Sequence, residues 1–243
     1  MANIWIFASG TRNGWWSGLK KLLERVESWE IEWVENIVVV SNHVKWWVYD
    51  IVNKYENRQD VLPFNIKFHS VNNFPKRWDN WHFSPHDLEL IKQIGAWIME
   101  EYHLDYVFLS WRIKHILWIP TEKLVNIHPG PTQKPYGGVW MYGHHVHNKV
   151  WEDYKNWIIK RSCITMHYVT EEVDEWPIIC QIPVVLEWCD SAEDVWRKVN
   201  QVEHEFQWII TKMIIDWDIY LDKKGIVNYP DDFQYNLELN LKE

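Results

Sequence analysis

Two polar residues, Asn126 and His128, end the apolar run in the stretch LVNIHPGP, and their types and spacing could do chemistry. Side chains two positions apart on a strand project from the same face, so we expect the amide and the imidazole to lie together where the strand ends. Asp174 follows an alternating stretch, MHYVTEEVDEWP, and its loop could fold back beside His128. An amide donor, an imidazole that moves a proton and a carboxylate that keeps the imidazole charged suit acyl transfer. Alone, Asn126 and His128 could equally be residues that close the end of a strand.

The elements that must position these residues alternate through the first half of the chain. Nearly continuous apolar runs, typical of strands buried on both faces, occur at residues 4–8, 36–42, 66–71, 104–110 and 123–128. Helical spacing separates these runs, with starts at the N-cap candidates Ser17 and Ser84. This order predicts an α/β, Rossmann-like fold with a mostly parallel, doubly wound sheet. Such sheets bind ligands at the carboxyl ends of their strands.

The second half of the chain follows a different pattern. Alternation over residues 161–187, broken near residues 174–177, predicts two antiparallel strands joined by a loop. Ser191, with Asp194 three residues later, resembles a capping box and predicts the start of a long closing helix. We expect one domain over residues 1–221 and a polar tail over residues 222–243 that is poorly ordered beyond Tyr229.

Composition excludes several classes of protein. The 243 residues contain no apolar stretch long enough for a membrane span, and the N-terminus lacks the basic region of a signal peptide. Three cysteines without a paired spacing suit a reducing compartment, and a net charge of −9 argues against nucleic-acid binding. His144, His145 and His147 lack a carboxylate or cysteine at metal-site spacing, so we expect a helix start there and no metal. A cytoplasmic protein, monomer or homodimer, that binds small molecules is expected.

A family resemblance becomes specific when the motifs are taken in chain order. The stretches NIHPGP, MYGHHVH, SCITMHYVTEEVDEWPII and VNQVEHEFQW resemble the folate-dependent formyltransferases, and most closely the branch that acts on glycinamide ribonucleotide. The resemblance runs from about Ile4 to Ile215. It implies the formyltransferase fold. It also implies purine biosynthesis, with a formyl group moving from the co-substrate 10-formyltetrahydrofolate to the amine of glycinamide ribonucleotide.

The resemblance also implies roles for individual residues. Asn126, His128 and Asp174 match the catalytic residues of the family, and Glu203 matches the acidic residue that contacts the glycinamide. The loop that binds the substrate phosphate matches Ser9, Gly10, Thr11, Arg12, Asn13, Gly14 and Ser17. The folate pocket matches Trp111, Arg112, Ile113 and Lys114, together with the backbone of Val169, Thr170 and Glu171. The family needs no metal.

Two departures from the family pattern leave the acceptor open. HPGPTQKPYGG differs from the usual Ser-Leu-Leu-Pro after His-Pro, and the phosphate loop is longer than is typical. Another amine, on a nucleotide sugar or on methionyl-tRNA, is therefore an alternative acceptor. We expect neither the additional C-terminal domain of the tRNA enzyme nor the N-terminal regulatory domain of the folate deformylase. A folate- or nucleotide-binding protein without catalysis is the alternative from another class.

Tryptophan is unusually frequent, with 20 tryptophans and 9 glycines, whereas an average glycine usage of ~7% predicts about 17 in this length. Several tryptophans stand where the resemblance implies glycine: Trp15, Trp16, Trp111, Trp140 and Trp176. Others fit the same substitution: Trp46, Trp47, Trp118, Trp188 and Trp217.

The codon UGA is read as glycine by some bacteria and as tryptophan in another genetic code. Our hypothesis is that glycine codons appear in this sequence as tryptophan. Trp97 and Trp208 are expected to be genuine, because their helical positions are compatible with a core. The chain with tryptophan in the phosphate loop should be a poor enzyme, because ligands approach glycine backbone more closely. An aromatic-rich chain is the alternative.

Overall fold

The chain is described here from a computed structural model that covers residues 1–8, 17–41, 47–70, 89, 93, 96–97, 99–110, 119–138, 141–170 and 177–233. These residues belong to two compact units, residues 1–124 and 125–243. Within the described ranges, no helix has the length and apolar character that crossing a membrane requires.

Parallel strands build the first unit. Its elements are β1 (Ala2–Ala8), α1 (Ser17–Glu27), β2 (Val34–Ser41), α2 (Trp47–Glu56), a 3-10 turn (Gln59–Val61), β3 (Asn65–Ser70), β4 (Tyr106–Ser110) and a second 3-10 turn (Thr121–Lys123). The strand order is β3-β2-β1-β4, and every pair is parallel. β1 is almost completely buried, as a central strand covered on both faces must be.

Antiparallel strands and two longer helices build the second unit. The elements are β5 (Leu124–His128), α3 (His144–Lys155), β6 (Arg161–Tyr168), β7 (Ile178–Val185), α4 (Ala192–Ile215), β8 (Tyr220–Leu221) and β9 (Val227–Asn228). The order is β5-β6-β7 with antiparallel pairs, and β8 pairs with β9 alone. Parallel pairing in the first unit and antiparallel pairing in the second match the predicted mostly parallel strands followed by antiparallel C-terminal strands. The predicted fold class is confirmed.

The long helix α4 begins as its sequence predicts. Ser191 is extended, its Oγ accepts a hydrogen bond from the Asp194 amide at 3.2 Å, and it donates to Asp194 Oδ2 at 2.7 Å. This reciprocal contact satisfies a backbone donor that the first turn leaves unpaired. Apolar residues at helical spacing, including Val195, Val199 and Ile210, are buried and form the side of the helix that packs against the sheet.

Some local expectations need correction. β4 begins at Tyr106 rather than at Leu104, and the Asp105 carboxylate just before it accepts a hydrogen bond from the Asn3 amide at 2.8 Å. Trp97 is not a core residue, since its side chain is exposed, and its ring meets His69 in a T-shaped contact. Residues 84–88, where the helix after Ser84 should begin, lie outside the described residues, although residues 99–102 are helical.

The segment after α4 contains structure that the sequence interpretation did not anticipate. Asp222 Oδ1 accepts hydrogen bonds from the amides of Lys224 and Ile226, which closes the turn between β8 and β9. Tyr229 donates its hydroxyl to the carbonyls of Ile178 and Ile179, which lie in β7. The boundary between a domain and a polar tail stays a prediction, and residues 234–243 lie outside the described residues.

Candidate active site

Strand β5 carries Asn126 and His128 to its carboxyl end, where both side chains are buried. The chain then passes Gly130, at which a Cβ atom would collide with Cγ1 of Val146 in α3. Only glycine therefore lets the loop lie directly against α3. The Gly130 carbonyl accepts a hydrogen bond from Thr165 Oγ1 at 2.8 Å, which ties the loop to β6.

Asn126 lies directly opposite His167 in the antiparallel pair of β5 and β6. The Asn126 Nδ2 and His167 Nε2 atoms are 3.0 Å apart, and His167 Nδ1 lies 3.1 Å from the Tyr168 carbonyl. A carbonyl can only accept, so Nδ1 carries the proton. Burial lowers the pKa of His167 to about 3, which keeps the ring neutral and leaves Nε2 as an acceptor for the Asn126 amide. The Asn126 amide is therefore oriented with its nitrogen toward His167.

His128 faces two backbone carbonyls. Its Nε2 donates to the Tyr136 carbonyl at 3.2 Å, and the Pro131 carbonyl is a second acceptor. Burial nevertheless lowers the pKa of His128 to about 4, although both carbonyls raise it. In these surroundings the imidazole is neutral near pH 7. The protonated His128 expected from the sequence needs a further negative charge, and its candidate source, Asp174, lies outside the described residues.

Tyr136, whose carbonyl accepts the hydrogen bond from His128, is held in place by a buried hydrogen bond of its side-chain hydroxyl. The Tyr136 hydroxyl donates to Asp153 Oδ2 at 2.8 Å, and Lys149 Nζ binds Asp153 Oδ1 at 2.9 Å. Burial and the hydrogen bond to Asp153 raise the pKa of Tyr136, so the phenol remains a donor. Helix α3, which supplies Asp153 and Lys149, thus supports the acceptor of His128.

A third imidazole, His147, packs near His128 from α3. It is buried, and its Nδ1 has no hydrogen-bond partner among the described residues. Burial, followed by the charges of His144 and His128, lowers the pKa of His147 to about 3. The expected helix start at His144 is confirmed. The described ranges hold no group of three His, Cys, Asp or Glu side chains that could bind a metal ion.

Polar residues on the facing strands complete the interior of the site. Gln181 Nε2 donates to Thr165 Oγ1 at 3.2 Å, and Thr165 in turn lies opposite His128. Sequence reasoning missed His167, Thr165 and Gln181 as site residues. Their polar character on apolar strands was visible, but the register that sets them against Asn126 and His128 was not.

The remaining predicted residues divide into described and undescribed ones. Ser17 begins α1, Val169 is buried just after β6, and Thr170 follows it half-buried. Glu203 is half-buried in α4, and burial raises the pKa of its carboxyl to about 7. The residues outside the described ranges are Ser9, Gly10, Thr11, Arg12, Asn13, Gly14, Trp111, Arg112, Ile113, Lys114, Glu171 and Asp174. The convergence of Asp174 on Asn126 and His128 therefore stays a prediction.

A cleft of about 440 Å³ opens along α3 and is lined by Pro135, Met141, His145, Asn148, Lys149, Trp151, Glu152 and Lys155. Neither Asn126 nor His128 lines this cleft.

Similarity to known proteins agrees with the chemistry expected at the site. No protein-family profile matches the chain. The chain is 30% identical over 115 residues to the chloroplastic phosphoribosylglycinamide formyltransferase of Arabidopsis thaliana, a match that covers 44% of this chain and 37% of that protein. It is 32% identical over 87 residues to phosphoribosylglycinamide formyltransferase of Dictyostelium discoideum, covering 35% and 39% of the two chains. The chain thus spans about two fifths of the length of these curated relatives.

Solved structures extend the likeness over nearly the whole chain. Glycinamide ribonucleotide transformylase 1 from Symbiobacterium toebii has a TM-score of 0.69 at 19% identity, with 95% of both chains covered. A formyltetrahydrofolate deformylase from Pseudomonas syringae has a TM-score of 0.66 at 20% identity, covering 95% of this chain and 66% of that one. The chain has the formyltransferase fold, and in sequence it is similar to the phosphoribosylglycinamide formyltransferases.

Proposed function

We propose that this protein is a cytoplasmic enzyme that transfers the formyl group of 10-formyltetrahydrofolate to the amine of glycinamide ribonucleotide. One observation carries the proposal. The buried amide of Asn126, held by His167, lies on β5 two residues before the buried His128, on the same face of the strand. A strand end of an α/β sheet is where ligands bind in such folds. The similarity to phosphoribosylglycinamide formyltransferases supports the same reaction.

The chemistry follows from the donors at this strand end. The amine nitrogen attacks the formyl carbon, its new bond to carbon replaces the bond to the folate nitrogen, and negative charge develops on the formyl oxygen. One Asn126 amide hydrogen faces His167, and the other is proposed to donate to that oxygen. Protonated His128 would be a second donor. Loss of one such donor typically costs about 100- to 1000-fold in rate.

Proton transfer requires a charge that raises the pKa of His128. Asp174 is proposed to provide it, because an opposite charge close to an imidazole favours the protonated form. The same carboxylate would order a water that carries the proton from the attacking amine to the leaving nitrogen. This role of Asp174 rests on the family resemblance.

The binding of both substrates is assigned on the same basis. Glu203 is proposed to contact the glycinamide, and its pKa of about 7 allows it to accept a hydrogen bond or a proton near neutral pH. Ser17 and the loop of residues 9–14 would bind the phosphate. Residues 111–114 and 169–171 would bind the folate. The proposed mechanism needs no metal ion.

Hydrolysis of the formyl group is a second candidate, because a formyltetrahydrofolate deformylase has nearly the same TM-score as the transformylase. In that reaction water replaces the amine as the acceptor. The fold therefore does not distinguish transfer to an amine from transfer to water.

The test is an acceptor assay on the glycine form of the protein, with tryptophans 15, 16, 111, 140 and 176 replaced by glycine. Tetrahydrofolate release is followed with glycinamide ribonucleotide, with a nucleotide-sugar amine, with methionyl-tRNA and with no acceptor. Release that depends on glycinamide ribonucleotide, with formylated product, is expected. Release without an amine would indicate a deformylase and contradict the proposal.

A matched pair of variants separates an enzyme from a binding protein. His128→Ala should abolish formyl transfer while folate binding persists. His145→Ala is the control, because His145 is an exposed residue at the start of α3 that contacts Tyr142. If the glycine form with His128 intact binds folate but transfers no formyl group, the protein is a binding module.

A further inference from the structure

Six described residues other than glycine have a positive φ angle, and five of them are tryptophans. They are Trp29, Trp33, Trp157, Trp188 and Trp217, with φ between 61° and 67°. The sixth is His103, a residue type that tolerates this region. Only a few per cent of non-glycine residues have positive φ, so fewer than about one of the eleven described tryptophans should do so by chance.

Three of the five tryptophans end helices in one hydrogen-bonding arrangement. After α1, the Glu30 amide donates to the Arg25 carbonyl at 2.9 Å and the Trp29 amide to the Val26 carbonyl at 3.2 Å. After α3, the Ile158 amide donates to Asp153 and the Trp157 amide to Tyr154, both at 2.9 Å.

The end of α4 repeats the pattern. The Asp218 amide donates to Met213 at 2.9 Å and the Trp217 amide to Ile214 at 3.2 Å. These are Schellman motifs, in which the left-handed residue after the helix cap is usually glycine. Tryptophan occupies that position in all three.

Of the other two tryptophans, Trp188 occupies a turn with the same requirement. Trp188 is the third residue of a β-turn closed by the Cys189 amide and the Leu186 carbonyl at 3.0 Å. A positive φ at the third position characterises a type II turn and calls for glycine. Trp33 precedes β2 and offers its carbonyl to the Ala2 amide.

Packing does not compensate for these backbone conformations. The side chains of Trp29, Trp33, Trp157, Trp188 and Trp217 are 63%, 64%, 89%, 91% and 69% exposed. The left-handed conformation costs a residue with a Cβ atom roughly 1–2 kcal/mol. An indole exposed to solvent recovers little of that energy through packing. Glycine is therefore favoured at these positions, because the backbone is left-handed and the side chain buries little surface.

We propose that the protein made by its source organism has glycine at positions 29, 33, 157, 188 and 217, encoded by UGA. This inference does not depend on the proposed function. It adds residues 29, 33 and 157 to the positions suspected from the sequence, and it rests on backbone geometry rather than on family comparison. Trp47 receives no support of this kind, because it begins α2 without a positive φ.

Two measurements test the proposal. The gene is sequenced to determine the five codons, and the protein purified from the source organism is digested and its peptides are identified by mass spectrometry. UGA codons with glycine-containing peptides are the expected result. A UGG codon at any of the five positions overturns the proposal, and so does tryptophan in the corresponding peptides.

A different observation carries a second inference, at the active site. His167 is completely buried, directly opposite Asn126, and its Nδ1 is committed to the Tyr168 carbonyl. If the Asn126 amide were flipped, its oxygen would face the lone pair of Nε2 and the contact would be repulsive. We infer that His167 is a positioning residue that fixes the Asn126 amide with its nitrogen toward β6. The effect on the reaction rests on the proposed function, whereas the amide orientation does not.

The orientation is tested without an activity assay. Nitrogen NMR of imidazole-labelled protein should show the neutral Nδ1–H tautomer for His167 down to about pH 5, well above its lowered pKa. An Nε2–H tautomer, or a charged ring above that pH, overturns the inference. The measurement uses the unmodified protein, so it does not depend on whether a variant folds.

The kinetic test uses a matched pair of variants. His167→Gln keeps an acceptor for the Asn126 amide, and His167→Leu removes it. His167→Leu should lower kcat about 10- to 100-fold with KM for folate unchanged, since a misoriented oxyanion donor acts in the transition state. His167→Gln should restore most of the rate. Equal losses in both variants would overturn the positioning role. If the glycine form with His167 intact transfers no formyl group, the proposed function fails and the tautomer still decides the inference.

Discussion

Replacing Trp157 by glycine should stabilise the protein, although most substitutions of a large residue destabilise. The indole is 89% exposed, so its removal loses little buried apolar area. Relief of the left-handed strain is worth roughly 1–2 kcal/mol. The greater freedom of glycine in the unfolded chain offsets about 0.5–1 kcal/mol of this gain. A net increase of about 1 kcal/mol in the free energy of unfolding is expected for Trp157→Gly.

The same gain is expected at the other four positions, of which only 29 and 33 lie close together along the chain. Distant substitutions add, so the fivefold glycine variant should gain about 3–5 kcal/mol, a large share of a typical total stability of 5–15 kcal/mol. For a chain of this length, the gain corresponds to a rise in Tm of roughly 10 °C. Urea unfolding of the single and fivefold variants measures the change directly.

Two controls separate backbone strain from the removal of an exposed aromatic ring. Trp157→Ala removes the indole but keeps the Cβ atom, so it should leave stability nearly unchanged. Trp97→Gly replaces an exposed tryptophan in a helical stretch without positive φ, and it should destabilise by about 1 kcal/mol. Equal stabilisation by alanine and glycine at position 157, or destabilisation by glycine there, would refute backbone strain as the cause.

Three further predictions concern the second unit. Burial lowers the pKa values of His128, His147 and His167 from 6.5 to about 4, 3 and 3. The unfolded chain therefore binds protons that the folded chain does not, and urea midpoints should fall as the pH drops from 6.5 toward 4. Glu203 acts in the opposite direction. Its pKa rises from 4.5 to about 7, so its protonated form stabilises the fold below pH 4.5 and that contribution is lost as pH rises through 7. Glu203→Gln should remove this loss of stability at rising pH. An unchanged pH profile of unfolding in the variant would contradict the prediction. Gly130→Ala should destabilise by about 1–3 kcal/mol through collision with Val146. The double variant with Val146→Ala should recover part of that loss in urea unfolding if the collision is its cause.

The elements of the fold were predictable because their signals are local. The apolar run before His128 and the alternation of residues 161–168 identify β5 and β6 without any knowledge of their partners. Ser191 and Asp194 identify the start of α4, since a capping box involves residues only three positions apart.

The composition of the active site was less predictable because it depends on strand register. Asn126 pairs with His167, and Ile127 pairs with Met166. A slip of one residue would set Met166 against Asn126 and turn the imidazole to the opposite face. The loop and helix between the two strands allow many registers, and nothing local in the sequence selects one. His167 therefore looked like one of several polar residues in a largely buried strand.

The state of His128 shows what its surroundings do and do not provide. Two carbonyl acceptors favour a protonated ring, yet burial outweighs them and lowers the pKa to about 4. Raising that value to about 7 requires roughly 4 kcal/mol of interaction with the charged form. A single carboxylate within hydrogen-bonding distance provides an interaction of that size at the effective dielectric constant of a partly buried site, about 4 kcal/mol at 4 Å. Further backbone carbonyls would each add less, because a neutral acceptor stabilises a charge more weakly than an ion does. General acid catalysis by His128 therefore requires an ionised partner, and Asp174 is proposed for that role on the family resemblance.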